Sequence, residues 1–435
     1  MQKANTEQGI LADASMTLLS PFTRILLLAC AVMCSCRKAA NREMPNRAYV
    51  WQRQWTPAVT AAALKADRSP LRGLALFGAE IVWDKKDASI TPGVVFGSPD
   101  WQGVRALRKP VAIVMRIANH AGPFDVGDEK TAFIAAQAAE LLRRVRDEGV
   151  NCAEFQLDFD CAQKKLAGYA HWLRAVRRSI APTRLVITTL PSWLAETDFP
   201  MLLTHVDAYV LQVHSVTPSR VTSRSLLCEP DRARKWVQQA AQLERPFEIA
   251  LSTYSALAGY NPQGQFLGLA LDATQPRWPA GTQVMRLDSD APALAALVQE
   301  WAAAPPQNCT GIIWYRLPVE TDQRNWHWST LAAILDRRMP QSHLEAKITS
   351  TQPYDVSLEN TGEVDEDLHG TLTVNWANAA PPAAIEALPG WQMRQEAGRA
   401  IFSPPAQIRL APGGRVAVGW LRFQESTPLH VEVTR

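Results

Sequence analysis

Phe155 to Cys161 reads FQLDFDC, a bulky apolar residue alternating with a polar one. A strand turns successive side chains to opposite faces, so Phe155, Leu157 and Phe159 share one face and Gln156, Asp158 and Asp160 the other. Two carboxylates on neighbouring same-face positions have Cα atoms about 6.6 Å apart by strand rise. Carboxylates that close resist joint ionisation, so one can keep a proton near neutral pH and act as a general acid. Such a pair suits glycosidic bond cleavage, which needs an acid on the leaving oxygen and a partner that stabilises positive charge. The competing reading is a buried ion-pair network, because a carboxylate beside an arginine stays ionised and Arg53, Arg116 and Arg316 fall near the same end of their strands.

The elements around this stretch indicate what would position it. Short β-rich runs recur at 48–55, 71–83, 110–119, 152–161, 184–193, 207–215, 247–255 and 310–318. Helical-period segments separate them, most clearly at 131–148, 164–180, 231–243 and 291–303, and 328–338 closes the series. The second and fifth crossovers are weakly helical. Eight strand–helix units in a row predict an α/β fold, a parallel sheet closed as a (β/α)8 TIM-type barrel, with an open doubly wound sheet as the alternative. From about residue 345 strand-like runs split by Gly, Pro and Asn predict a small all-β, Ig-like sandwich, with 381–389 as a loop inside it. The expected organisation is a signal at 1–36, a linker at 37–47, the barrel at 48–340 and the sandwich at 345–435.

In such barrels the reactive face forms where strands end. Strand one offers Trp51, Arg53 and Trp55, or Gln52 and Gln54 in the opposite parity. Glu80 and Trp83 close strand two. Arg116, then His120, end strand three, and Trp193 follows strand five. Gln212 and His214 belong to strand six, Ser252 and Tyr254 to strand seven, and Trp314 and Arg316 to strand eight. Trp51, Trp193 and Trp314 are candidates to stack on sugar rings, and Gln212, His214 and Tyr254 to hydrogen-bond hydroxyls.

Composition narrows the classes. The chain has 45 basic and 42 acidic residues among 435, too balanced for a nucleic-acid partner. It shows no zinc-type Cys/His spacing and no Gly-rich phosphate loop, so no metal and no cofactor is expected. Arg24 precedes the apolar run ILLLACAVMCSC (25–36), which is too short to span a bilayer and suits a signal peptide. Its small residues and cysteines resemble a bacterial lipoprotein signal. Cys36 is then the lipidated residue, although Cys30 after LLA is the closer lipobox, and an ordinary cleaved or uncleaved signal is the alternative. The expectation is an exported protein, lipid-anchored in the envelope and facing the periplasm. Cys161 ends strand four and Cys228 lies in the loop after strand six, on one rim, so a Cys161–Cys228 disulfide is expected, with free thiols as the alternative.

QLDFDC with its downstream YAHWLRAVR, DAYVLQVH and GIIWYRLP together resemble an uncharacterised bacterial family known as domain of unknown function 3142. The likeness covers most of 47–340 and brings no activity with it. The chain also resembles, more weakly, chitinase-type glycosidases, which close strand four with D-x-x-D-x-D-x-E and floor the sugar site with a strand-eight tryptophan. That resemblance sets Gln156, Asp158 and Asp160 where the motif has Asp, Asp and Glu. It implies Asp160 as proton donor, Asp158 as the neighbour that orients the substrate's acetamido group, and Trp314 as the floor. The departures are the shorter acid at 160, Gln156 for an acid, and Gln212 and His214 where Tyr and Asp are expected. They leave open a different mechanism, or a site that binds sugar without cutting it. The alternative to an enzyme is an envelope lipoprotein that binds a glycan or a protein partner.

Overall fold

The computed structural model describes residues 43–83, 92–120, 129–214, 225–271, 277–376, 380–404 and 408–434. The signal segment and Cys36 lie outside these residues. Eight parallel strands close on themselves: Asn46–Val50, Leu74–Val82, Val111–Ile117, Cys152–Phe159, Arg184–Thr189, Ala208–Gln212, Phe247–Ser252 and Cys309–Tyr315. The ladder runs from strand one through eight, seven, six, five, four and three to two, and pairing of Ala48 with Leu74 returns it to the start. It is a TIM-type barrel, with each expected run overlapping one strand, although the first and last strands begin earlier than expected, at Asn46 and Cys309.

The helices follow the apolar stripes. Glu129–Asp147 buries Ile134, Ala138, Leu141, Leu142 and Val145 at helical spacing and carries Arg144 and Arg146 in its last turn, where positive charge meets the negative end of the helix dipole. The weak second and fifth crossovers become five-residue helices, Trp101–Arg105 and Phe199–Leu203. Among the described residues no helix is long and apolar enough to cross a membrane.

Two elements were not expected. Gly93–Phe96 pairs antiparallel with the outer half of strand two. Between strands seven and eight, Ala256–Tyr260, Phe266–Ala270 and Gln283–Asp288 form an antiparallel sheet beside the barrel mouth. Beyond the helix Trp328–Leu335, two four-stranded antiparallel sheets pack face to face over Val356, Leu358, Leu372, Val374, Phe402 and Leu421. This is the predicted C-terminal β-domain with one correction. The segment read as a loop at 381–389 contains a strand, Ala384–Ala387, paired with Arg415–Arg422.

Candidate active site

The barrel interior is layered. At the bottom Arg47 bonds Glu154 at 3.1 Å and Glu248 at 3.0 Å, and Arg184 approaches Glu154 at 3.8 Å. Above this charged floor, the Gln156 amide donates to Glu154 at 2.7 Å and accepts from the Tyr49 hydroxyl at 2.8 Å. The middle of the lumen is lined by small side chains, Ala75, Ala112, Ala208 and Ala250 with Val114, Val186 and Val210. Their size admits the Tyr49 ring, and the seal it forms is the floor of a cavity of ≈250 Å³.

Asp158 and Asp160 face that cavity together with Trp51, Arg116, Thr188, Gln212, His214, Tyr254 and Tyr315. Asp158 is recessed. Its Oδ1 accepts the Thr188 hydroxyl at 2.6 Å, and its Oδ2 lies 3.8 Å from Arg116. Burial and the Asp160 charge push its carboxyl up to about 6, against the opposing pull of Thr188 and Arg116. Asp160, one pleat further out, is exposed at the mouth. Desolvation by the barrel wall also raises its pKa, with Arg116 and a hydrogen bond from Gln212 opposing. Among the described residues no arginine forms an ion pair with Asp160. The pair therefore holds one proton more readily than either acid would alone in water.

Arg116 is divided between Asp158 and Glu80, 3.7 Å away, and Glu80 is bonded again by the half-exposed Arg53. Glu80 reaches this position because strand two slips by one residue between Phe77 and Ala79. Leu74 and Leu76 point to the helices before the slip, and Ala79 and Ile81 after it. The extra residue is Gly78, where a Cβ would stand 2.6 Å from Ile113 Cγ2.

The aromatic wall is interlocked. Trp51 meets Tyr49, Phe77 and Tyr315 edge to face, and Tyr315 stacks on His214 with ring centres 5.9 Å apart. Burial pushes His214 down to about 4, so it is neutral. With Nδ1 at 3.1 Å from the Ala250 carbonyl, Nδ1 carries the hydrogen and Nε2 is an acceptor. His214 is thus a fixed acceptor for a hydroxyl rather than a cation.

Several expected residues stand elsewhere. Trp314 is fully buried on the helix side, donating to Asn46 Oδ1 at 2.9 Å and packing on Trp326. The run GIIWY is apolar on both faces, and the strand turns Ile313 and Tyr315 inward instead. Trp193 lies in the one-turn helix Pro191–Ala195, wedged between Tyr169 and Phe199 and donating to the Cys161 carbonyl. Arg316 is held by Asp322 at 2.8 Å and lies outside the cavity lining. Gln156 is below the floor. The expected Cys161–Cys228 bridge is absent and both residues are free thiols. Cys161 follows the outward parity of Phe159 and sits in the core beside Tyr169 rather than on the rim, where burial pushes its thiol up to about 12. Tyr49, Thr188 and Tyr315 were not foreseen, although Tyr49 shares the parity of Trp51. Among the described residues no group of three His, Cys, Asp or Glu side chains could hold a metal ion.

Fold and site together define a (β/α)8 barrel protein with an acidic, aromatic-walled pocket at the carboxyl ends of its strands. Residues 108–320 match the family described as Domain of unknown function (DUF3142), the one that QLDFDC, DAYVLQVH and GIIWYRLP resemble, and residues 344–424 match Domain of unknown function (DUF8456). No curated protein matches the chain. Among solved structures the chain is similar to the spore cortex-lytic enzyme SleL of Bacillus cereus, at 14% identity and TM-score 0.47, over 68% of this chain and 75% of that one. A chitinase from Chromobacterium violaceum aligns at 14% identity and TM-score 0.44, over 68% of this chain and 98% of that one. Chitinase ChiA74 from Bacillus thuringiensis aligns at 8% identity and TM-score 0.44, over 90% and 100%.

Proposed function

We propose that the barrel mouth binds a glycan and cleaves a glycosidic bond, with Asp160 as the general acid. The observation that carries this is the pairing of two carboxylates in one aromatic-walled pocket, the outer of which has no arginine ion pair among the described residues. Asp160 passes the pair's proton to the leaving oxygen. Asp158, steadied by Thr188 and Arg116, faces the positive charge that develops on the sugar ring. Trp51, Tyr254 and Tyr315 offer apolar faces, and Gln212 and His214 meet hydroxyls.

The test is turnover and binding on labelled oligosaccharides, peptidoglycan fragments included, with wild type beside Asp160→Asn. Cleavage that the variant loses while still binding supports the assignment, and a variant that cleaves as fast as wild type refutes it. Binding by both without cleavage would favour the second reading, a glycan-binding protein, which the Arg116 contact to Asp158 supports. We also propose that the chain is exported and lipid-anchored at Cys36, on the strength of the apolar run before it. Recovery of Cys36→Ser in the membrane fraction at the wild-type level, with no lipid label on the wild type, would sink that proposal.

A further inference from the structure

A second cavity lies between the barrel and the β-domain. It measures ≈440 Å³ against ≈250 Å³ for the barrel mouth, and Tyr254 borders both. Tyr254 thus stands between the two, its ring against His214 and Tyr315 on the barrel side and its carbonyl accepting from Ser289 of the second cavity. On the barrel side the second cavity is walled by Arg286 and Asp288, from the inserted sheet, and by Trp326. On the other side stand Asp365, Asp367 and Arg409 of the β-domain.

Each wall pairs mainly within itself, but Asp367 Oδ1 and the Ser255 hydroxyl are buried in the lining without a hydrogen-bond partner among the described residues. Arg286 Nε lies 2.6 Å from Asp288, while Arg409 reaches Asp365 at 3.3 Å and Asp367 at 3.4 Å. Across the gap the contacts are long: Arg286 and His327 each approach Asp365 only at 4.0 Å. The cleft is therefore bordered by two rims of charge-assisted donors and acceptors. Three arginines, Arg286, Arg324 and Arg409, line it with four aspartates, Asp288, Asp290, Asp365 and Asp367, a balance that gives a polyanion nothing to gain. A free cation finds most of the carboxylate oxygens already engaged, and Asp367 Oδ1 is left to accept a hydroxyl. A neutral ligand that presents hydroxyls in adjacent pairs fits, since each planar guanidinium and carboxylate keeps further donors or acceptors in fixed geometry. Trp326 adds an apolar face. Its indole N–H is committed to the Ser289 carbonyl at 3.0 Å and its ring rests on Trp314, so the ring is fixed in place. Concave sites of this size at domain boundaries, with a few convergent polar groups, are where small ligands bind.

We infer that this cleft is a second sugar-binding subsite, taking the far end of a neutral oligosaccharide whose near end occupies the barrel mouth. The inference rests on the carbohydrate reading of that mouth. Its consequence is a preference for chains long enough to pass Tyr254.

The experiment titrates the full-length Asp160→Asn protein with fluorescent β-1,4-linked N-acetylglucosamine oligomers of two and of six units. The longer probe is expected to bind about ten-fold tighter, or roughly 1.4 kcal/mol. Arg286→Gln and Asp367→Asn each remove most of that advantage and leave the two-unit probe unchanged, whereas Trp51→Ala weakens both probes. Hydrogen exchange gives a second readout that needs no variant in the cleft: the longer probe protects 283–288 and 364–368, and the shorter one does not. A two-unit probe that binds with no gain for the longer one overturns the cleft alone. So does a gain that survives both cleft substitutions. Failure of both probes to bind overturns the reading of the mouth for this sugar, and the cleft with it.

Discussion

Replacing Asp158 by Asn tests whether this residue is a strained functional acid or an ion-pair anchor. A carboxyl group whose pKa is raised on folding binds more protons in the native than in the unfolded chain. It therefore weakens stability as pH rises from its ordinary 3.8 to about 6, and the cost is fully present above that window. A shift of about two units corresponds to roughly 3 kcal/mol at 1.36 kcal/mol per unit. The contributions of Thr188 and Arg116 are already included in that net shift. Asparagine keeps an oxygen for the Thr188 hydroxyl, but its new amide donors need partners, at about 1 kcal/mol. Asp158→Asn is thus expected to stabilise the barrel by about 2 kcal/mol at pH 8 and to be neutral or destabilise it by under about 1 kcal/mol at pH 4, where the native carboxyl is protonated and the unfolded one about half ionised. Denaturant melts of wild type and variant at both pH values measure the difference. If the variant loses stability by a similar amount at both, Arg116 holds a contented carboxylate and the shared-proton reasoning is wrong.

The same pair sets the pH profile. The general acid works only while the pair holds its proton, so turnover is expected to fall as pH rises past about 6; a rate still rising between pH 6 and 8 would contradict it. Trp193→Ala and Trp314→Ala empty fully buried sites and should each cost about 3–5 kcal/mol in denaturant melts. Neither should alter sugar affinity in protein that still folds, whereas Trp51→Ala should lower affinity at smaller cost to stability. Arg47→Met strands Glu154 and Glu248 in the barrel floor and should cost about 3–5 kcal/mol. Adding Glu154→Gln and Glu248→Gln should recover part of that loss, and no recovery would argue against the ion-pair account. Protein unfolded without reductant should be alkylated at both Cys161 and Cys228; protection of the two together would restore the bridge.

The barrel was legible because period-2 and period-3.6 segments alternate through the chain, and the acids were legible because they alternate with Phe155, Leu157 and Phe159. Parity failed where that contrast is missing. Strand eight is apolar on both faces, so nothing local distinguishes Trp314 from Tyr315. The inserted sheet escaped notice for a related reason: Phe266, Leu267, Leu269 and Leu271 are exposed on consecutive and alternate positions, which mimics neither a buried strand nor an amphipathic one. Trp193 shows a different limit. A residue just past a strand end belongs to the rim or to the core according to how sharply the chain turns, and here Pro191 starts a tight turn at once. The ion-pair alternative proved partly right. The network exists, but its centre is Arg47 at the bottom and Glu80 at the rim, with Asp160 left outside it.

The ring of Tyr49, seated among alanines with its hydroxyl tied to Gln156, makes the lumen a blind alley. Whatever enters must leave by the same door. A long polymer cannot thread through and has to lie across the opening, so one sugar at a time can dip to the carboxylates while the remainder stays outside. Depth is then an adjustable dimension: exchanging Ala250 for a larger residue would raise the bottom of the pocket and narrow what reaches Asp158, with every reactive group left in its place.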